Sequence, residues 1–115
     1  MTNDDIQVAE SAINSGDIEL AKALLNSMVD GNKFFIESLI SISQSDIESA
    51  LNSLEKCINA VRSPKSRDAI LEARAKMIRG LARTSIGEII EGGADLRWAM
   101  DRLGAISTGS DEHGI

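Results

Sequence analysis

The chain has 115 residues and a net charge of −6, and 43% of its residues are hydrophobic but only 3% aromatic. These values exclude a disordered chain and predict a single folded domain. No apolar run approaches the roughly 20 residues of a membrane-spanning helix, and the acidic first residues do not resemble a basic signal or transit peptide. The single cysteine, Cys57, favours a reducing compartment, so we expect a cytoplasmic protein without a membrane partner.

The periodicity of the apolar residues predicts an all-α fold with six helices and no strand. The helices are expected over about 4–15, 17–29, 33–43, 46–61, 64–91 and 94–106. The expected breaks between them are Asn14-Ser15-Gly16, Asp30-Gly31-Asn32, Gln44-Ser45, Arg62-Ser63-Pro64 and Gly92-Gly93. Residues 107–115 have no periodic apolar face, so we expect one domain over 1–106 followed by a flexible tail.

One short pattern occurs three times along these helices. Its copies are Gly16-Asp17-Ile18-Glu19-Leu20-Ala21, Ser45-Asp46-Ile47-Glu48-Ser49-Ala50 and Ala94-Asp95-Leu96-Arg97-Trp98-Ala99. In each copy the aspartate can accept hydrogen bonds from free N–H groups at a helix start. We expect these aspartates to begin the second helices of three stacked, antiparallel hairpins: Asp17, Asp46 and Asp95. The closing alanines are expected to be buried where helices cross: Ala21, Ala50 and Ala99.

This pattern resembles the tetratricopeptide repeat. Three small residues precede the closing alanines by twelve positions, which matches that family's spacing between its small first-helix residue and its second-helix alanine: Ala9, Ser38 and Gly87. The copies begin 29 and then 49 residues apart, where the family repeats every 34. In size and repeat number the chain resembles the small chaperones of this type in bacterial type III secretion. The resemblance implies a curved stack of hairpins that holds a helical or extended segment of another protein.

Basic residues are concentrated in the predicted fifth helix. Seven of them lie between Arg62 and Arg83 against two acidic residues, whereas residues 1–60 carry ten acidic and three basic residues. Such an acidic half and basic helix can pair within one chain, between two copies or with a partner. Lys76, Arg79 and Arg83 share one face of the helix by their spacing, so we expect that face to take part in binding.

Other candidate binding residues combine charge or aromatic rings with apolar neighbours. Arg74 shares a face with several aliphatic residues, and Arg67 lies one heptad earlier. Arg74 is either paired with an acidic group of the chain or available to a partner's carboxylate. Phe34 and Phe35 are adjacent, so a single helix contact cannot easily bury both, and one of them is a candidate for an exposed groove. Trp98 is a further candidate beside the core position Ala99.

The sequence contains no pattern that indicates catalysis. The only histidine, His113, lies in the expected tail, and Cys57 lies between apolar helix positions that favour a buried structural thiol. One cysteine and one remote histidine do not give metal-ligand spacing. We therefore expect no enzyme activity, no metal and no cofactor.

These observations favour a small intracellular protein-binding adaptor, chaperone or inhibitor. The alternative is a structural or self-assembling homo-oligomer, which the complementary charges of the two halves would suit. A nucleic-acid-binding regulator ranks last, because the chain is acidic overall and has few aromatic residues.

Overall fold

The structure, a computed structural model, describes the backbone of residues 2–65 and 67–114 and the side chains of residues 5–65 and 67–105. Within these ranges the chain forms six α-helices and no strand, which confirms the predicted all-α fold. The helices are α1 (Thr2–Asn14), α2 (Ile18–Leu24), α3 (Asp30–Ser43), α4 (Ile47–Val61), α5 (Ala69–Ser85) and α6 (Ile89–Gly114). A single 3-10 turn, Leu25–Ser27, continues α2.

The helices pack in the order of the chain. The consecutive pairs α1 and α2, α3 and α4, and α5 and α6 are in contact, and each pair is joined by a short turn. Helix α3 also contacts α1 and α2, and α5 contacts α3 and α4, whereas α6 contacts α5 alone among the described helices. These contacts fit the predicted series of three helical hairpins.

The first two hairpin turns form as the aspartates predict. Asp17 accepts a hydrogen bond from the backbone N–H of Leu20 at 3.2 Å, and Asp46 accepts one from Ser49 at 3.1 Å. The residue before each aspartate has a positive φ, 87° at Gly16 and 61° at Ser45. This left-handed conformation ends one helix and turns the chain into the next. Hydrogen bonds from Ser49 also lower the pKa of the Asp46 carboxyl.

The third turn lies earlier than predicted, at residues 86–88, so the prediction that Asp95 begins a helix is wrong. Gly87 has the positive φ, 94°, and Glu88 precedes α6. The backbone N–H of Glu88 bonds to the carbonyl five residues earlier at 2.9 Å, as those of Asp17 and Asp46 do at 2.7 and 2.8 Å. The turn therefore repeats the geometry of the first two.

The segment that forms the third turn and the start of α6 is therefore Gly87-Glu88-Ile89-Ile90-Glu91-Gly92, and not the predicted copy at 94–99. Its positive-φ residue follows those at positions 16 and 45 by 71 and 42 residues. Gly80 precedes Gly92 by twelve residues, as Ala9 precedes Ala21, and both glycines are buried. The prediction that Gly92-Gly93 ends a helix is wrong, since both glycines lie inside α6. Gly92 is needed there because α6 crosses α5 closely at Gly80.

Three other boundaries differ from the sequence prediction. Asp30-Gly31-Asn32 forms the first turn of α3 rather than a break, since an aspartate is favourable there and Gly31 packs closely against Val61. Helix α5 begins at Ala69, where Asp68 accepts a hydrogen bond from Leu71 at 3.0 Å, and not at Pro64. The backbone of α6 continues past the predicted end at Ile106. The flexibility of residues 107–115 remains a prediction.

The core is mainly aliphatic and lies between α1, α2, α3, α4 and α5. Its largest fully buried side chains include Phe35, Ile36 and Leu54. Ala21, Ala50 and Ala99 are all 0% exposed, as predicted. Cys57 is also buried, and desolvation raises the pKa of its thiol to about 12, which makes it an inert core residue.

Candidate binding surfaces

A groove crosses the first helices of the three hairpins, α1, α3 and α5. It consists of two cavities of about 270 and 420 Å³. The smaller cavity is lined by residues of α1 and of the start of α5: Ile6, Gln7, Asp68, Ile70, Leu71 and Arg74. The larger cavity is lined by residues of α1 and α3: Glu10, Ile13, Asn14, Leu39, Ile42 and Ser43. One face of α1 therefore follows both cavities, and we call the pair the apolar groove.

Arg74 and Glu10 join the two cavities. Arg74 Nη2 donates a hydrogen bond to Glu10 Oε2 at 2.6 Å, and the guanidinium lies 4.9 Å from the centre of the Phe35 ring. Both charged side chains keep partial exposure, 37% and 26%. Of the two interpretations left open by the sequence, the internal ion pair forms, and it neutralises the charge of Arg74 within the groove. Phe35 is 1% exposed and supports Arg74 from the core.

The three basic side chains predicted to form a binding face make ion pairs within the chain: Lys76, Arg79 and Arg83. Arg79 forms two hydrogen bonds of 2.8 Å with the two carboxylate oxygens of Asp95, and Arg83 donates a third at 2.9 Å. The side chains of Arg79 and Asp95 are 13% and 9% exposed. Hydrogen bonding to Asp95 raises the pKa of Arg79. This cluster ties α5 to α6, and Arg79 also reaches Glu55 of α4 at 3.2 Å.

Another cavity, lined mostly by basic side chains, lies beside Trp98, and we call it the basic pocket. It measures about 470 Å³ and is lined by Arg62, Arg67, Ala69, Glu72, Lys76, Trp98 and Arg102. Lys76 Nζ lies 3.7 Å from the centre of the Trp98 ring, and the Arg102 guanidinium lies 5.3 Å from it. Two sequence candidates that are far apart in the chain, Arg67 and Trp98, therefore meet here.

The remaining aromatic candidate is Phe34, which is half-buried and has Lys56 Nζ 5.8 Å from its ring centre. It lines neither the apolar groove nor the basic pocket. A further cavity, of about 760 Å³, lies where α3 begins beside the end of α4. Two cations and two carboxylates line it together, Lys65 and Arg67 with Asp30 and Asp68, so it has no clear charge preference.

Several large aliphatic side chains are exposed on the last hairpin. Ile90 is 83% exposed and Met100 67%, and Leu81, Ile86 and Ile89 are about half exposed. The first two turns have Glu19 and Glu48 where the third has Ile90. The surface of α5 and α6 is thus more apolar at this end than the surface of the earlier hairpins.

Sequence reasoning missed the groove, Glu10 and Arg102. The groove depends on how α1, α3 and α5 are placed, which no local pattern encodes. The spacing of Gln7, Glu10 and Asn14 on one face of α1 was the available signal. Within the described part of the chain, no helix is long and apolar enough to cross a bilayer, and no group of acidic, histidine or cysteine side chains could hold a metal ion.

Comparisons with known proteins place no relative beside this chain: neither a family model, nor a curated protein, nor a solved structure matches it. The tetratricopeptide resemblance therefore stays a prediction.

Proposed function

We propose that the protein is an intracellular, cytoplasmic protein-binding module that holds an apolar helical or extended segment of a partner protein in the apolar groove. The observation that carries this proposal is the groove itself: two cavities joined by the Arg74–Glu10 ion pair, each lined by three polar or charged and three aliphatic side chains. A segment with an apolar face would bury these side chains, and the ion pair would orient its polar groups.

The chemistry of the groove favours a peptide segment over other ligands. A nucleic acid would require a basic surface, whereas this groove contains Glu10 and Asp68 beside Arg74. A small-molecule site is usually enclosed, whereas Ile70 at the rim of this groove is 52% exposed. An adaptor, a chaperone and an inhibitor would all use such a groove in the same way, and the identity of the partner decides among them.

Two exposed isoleucines provide a matched test. Ile70 lies at the groove, and Ile90 lies on α6 away from it; both are more than half exposed, so glutamate at either position should leave the fold intact. We expect Ile70→Glu to abolish the capture of a specific partner from the native cell, while Ile90→Glu captures as much as the wild type. Equal capture by all three proteins, each shown to be folded by circular dichroism, would overturn the proposal.

Self-assembly is the second candidate, and the exposed aliphatic residues of α6 favour it. That helix contacts only α5 among the described helices, and Ile90 and Met100 are open to solvent on it. In this case the occupant is the α6 of a second copy. A molar mass of twice the monomer in solution, reduced to one monomer by Ile90→Glu, would support this candidate. A monomer at micromolar concentration would exclude a stable dimer.

A further inference from the structure

We infer that the basic pocket beside Trp98 binds carboxylate side chains of an acidic peptide segment. The inference rests on the proposed function in one respect: the ligand belongs to a protein. The site is separate from the apolar groove and lies along the other edge of α5, between the end of α4 and the middle of α6.

The charge of the pocket is the first argument. Four cationic side chains line it, those of Arg62, Arg67, Lys76 and Arg102, against the single carboxylate of Glu72. Glu72 is shared between Arg62, at 3.6 Å, and Lys76, at 3.7 Å. Among the described residues, neither Arg67 nor Arg102 has an ion-pair partner. A protein of net charge −6 thus concentrates uncompensated positive charge in one cavity.

The indole ring is the second argument. Lys76 and Arg102 both lie within cation–π distance of Trp98. This contact places two flexible side chains at the wall of the cavity before any ligand arrives, which lowers the entropy lost on binding. Lys76 is only 14% exposed, so its charge is weakly screened, and Arg67 and Arg102 provide planar donors that suit carboxylates.

The same geometry argues against nucleic acid as the ligand. Binding of single strands depends on bases that stack on aromatic rings, and Lys76 lies 3.7 Å from the centre of the only ring in this pocket. The acidic residues of the N-terminal half would also repel a long phosphate backbone. A short run of glutamates or aspartates needs neither an open ring nor an extended basic surface.

Trp98 is the only tryptophan of the chain, so its fluorescence reports directly on the pocket. The probe is a short oligo-glutamate peptide, with oligo-glutamine of equal length as the uncharged control. We expect a saturable change in fluorescence with oligo-glutamate only, weakened about tenfold by the double substitution Arg67→Gln and Arg102→Gln. Raising the salt concentration should weaken binding as well. Arg97→Gln, which removes an exposed arginine of α6 outside the pocket, should bind like the wild type.

Several results would overturn this inference. They are the absence of a saturable signal, an equal loss of affinity in Arg97→Gln, and tighter binding of an oligothymidylate of equal charge than of oligo-glutamate. Isothermal titration calorimetry repeats the comparison without relying on the indole. Ile70→Glu should leave the oligo-glutamate titration unchanged. The two proposals can therefore fail separately, since partner capture tests binding in the groove and the fluorescence titration tests binding in the pocket.

Discussion

Gly80 of α5 and Gly92 of α6 face each other at the point where the last two helices cross. A Cβ atom on Gly80 would lie 2.8 Å from the carbonyl oxygen of Gly92, and one on Gly92 would lie 2.7 Å from the carbonyl oxygen of Gly80. Neither helix can carry a side chain there without moving away from the other. Ala9 and Ser38, which like Gly80 precede a buried small residue by twelve positions, are themselves 0% exposed.

Gly92→Ala is expected to destabilise the protein by about 1–3 kcal/mol, because the methyl group overpacks the crossing. The neighbouring Gly93 is the control: a Cβ there meets nothing within 4 Å, so Gly93→Ala should stabilise the helix by up to about 1 kcal/mol. Urea denaturation of both variants measures the difference. Equal effects of the two substitutions would show that the helices do not cross at Gly92.

Asp95→Asn is expected to destabilise the protein by about 3 kcal/mol, because it removes the buried carboxylate that Arg79 and Arg83 share and leaves them only the more exposed Glu55 and Glu88. Asp101→Asn changes an exposed carboxylate of the same helix that has no ion pair among the described residues, and should cost roughly 0.5 kcal/mol or less. Thermal denaturation compares the two. If Asp95→Asn is as stable as the wild type, the arginines do not depend on it and are free for a ligand.

Ala50→Leu is expected to cost about 1–3 kcal/mol, since Ala50 is 0% exposed at the start of α4. Ala23 of α2 is exposed, and Ala23→Leu should change the free energy of unfolding by only about 0.5 kcal/mol. Chemical denaturation of each variant provides the values. A similar cost at both positions would contradict the tight packing of Ala50.

Cys57 is expected to react with a thiol reagent only when the protein opens. Its pKa is raised from 9.0 to about 12 by burial, so the thiolate is scarce in the folded state and common in the unfolded state above pH 9. The unfolded state therefore releases this proton first, and the contribution of Cys57 to stability is lost as the pH rises from about 9 towards 12. The stability advantage of the wild type over Cys57→Ala should therefore shrink in that range. Rapid labelling of the native protein at pH 8 would contradict its burial.

Local signals predicted the fold class and the first two hairpins. Gly16, Asp17 and Asp46 determine their turns and helix starts through the backbone of the nearest residues in the chain. The third hairpin was misplaced, because Asp95 has the sequence of a helix cap but pairs with Arg79, sixteen residues away. Gly92-Gly93 has the composition of a helix end, but Gly92 is used for close packing. Both errors come from tertiary contacts that a local pattern does not contain.

For the candidate sites too, the sequence indicated individual residues but not the tertiary contacts around them. The charge between Arg62 and Arg83 selected these side chains as candidates, but it could not tell that Arg79 and Arg83 are paired inside the chain while Arg67 lines a pocket. Trp98 was proposed for its position beside the core residue Ala99, and only the structure shows Lys76 and Arg102 next to its ring. The apolar groove has residues from three helices, so its prediction requires the packing of the hairpins.

The central claim is that the apolar groove holds a segment of a partner protein. Photo-crosslinking in the native cell tests it most directly, with a benzophenone side chain placed at Ile70, at Asn14 or at Ile90 in separate proteins. Ile70 and Asn14 line the two cavities of the groove. These two positions should crosslink to one and the same partner segment, and Ile90 should not. Crosslinks to a common partner from Ile90 alone, or none from Ile70 and Asn14, would contradict it.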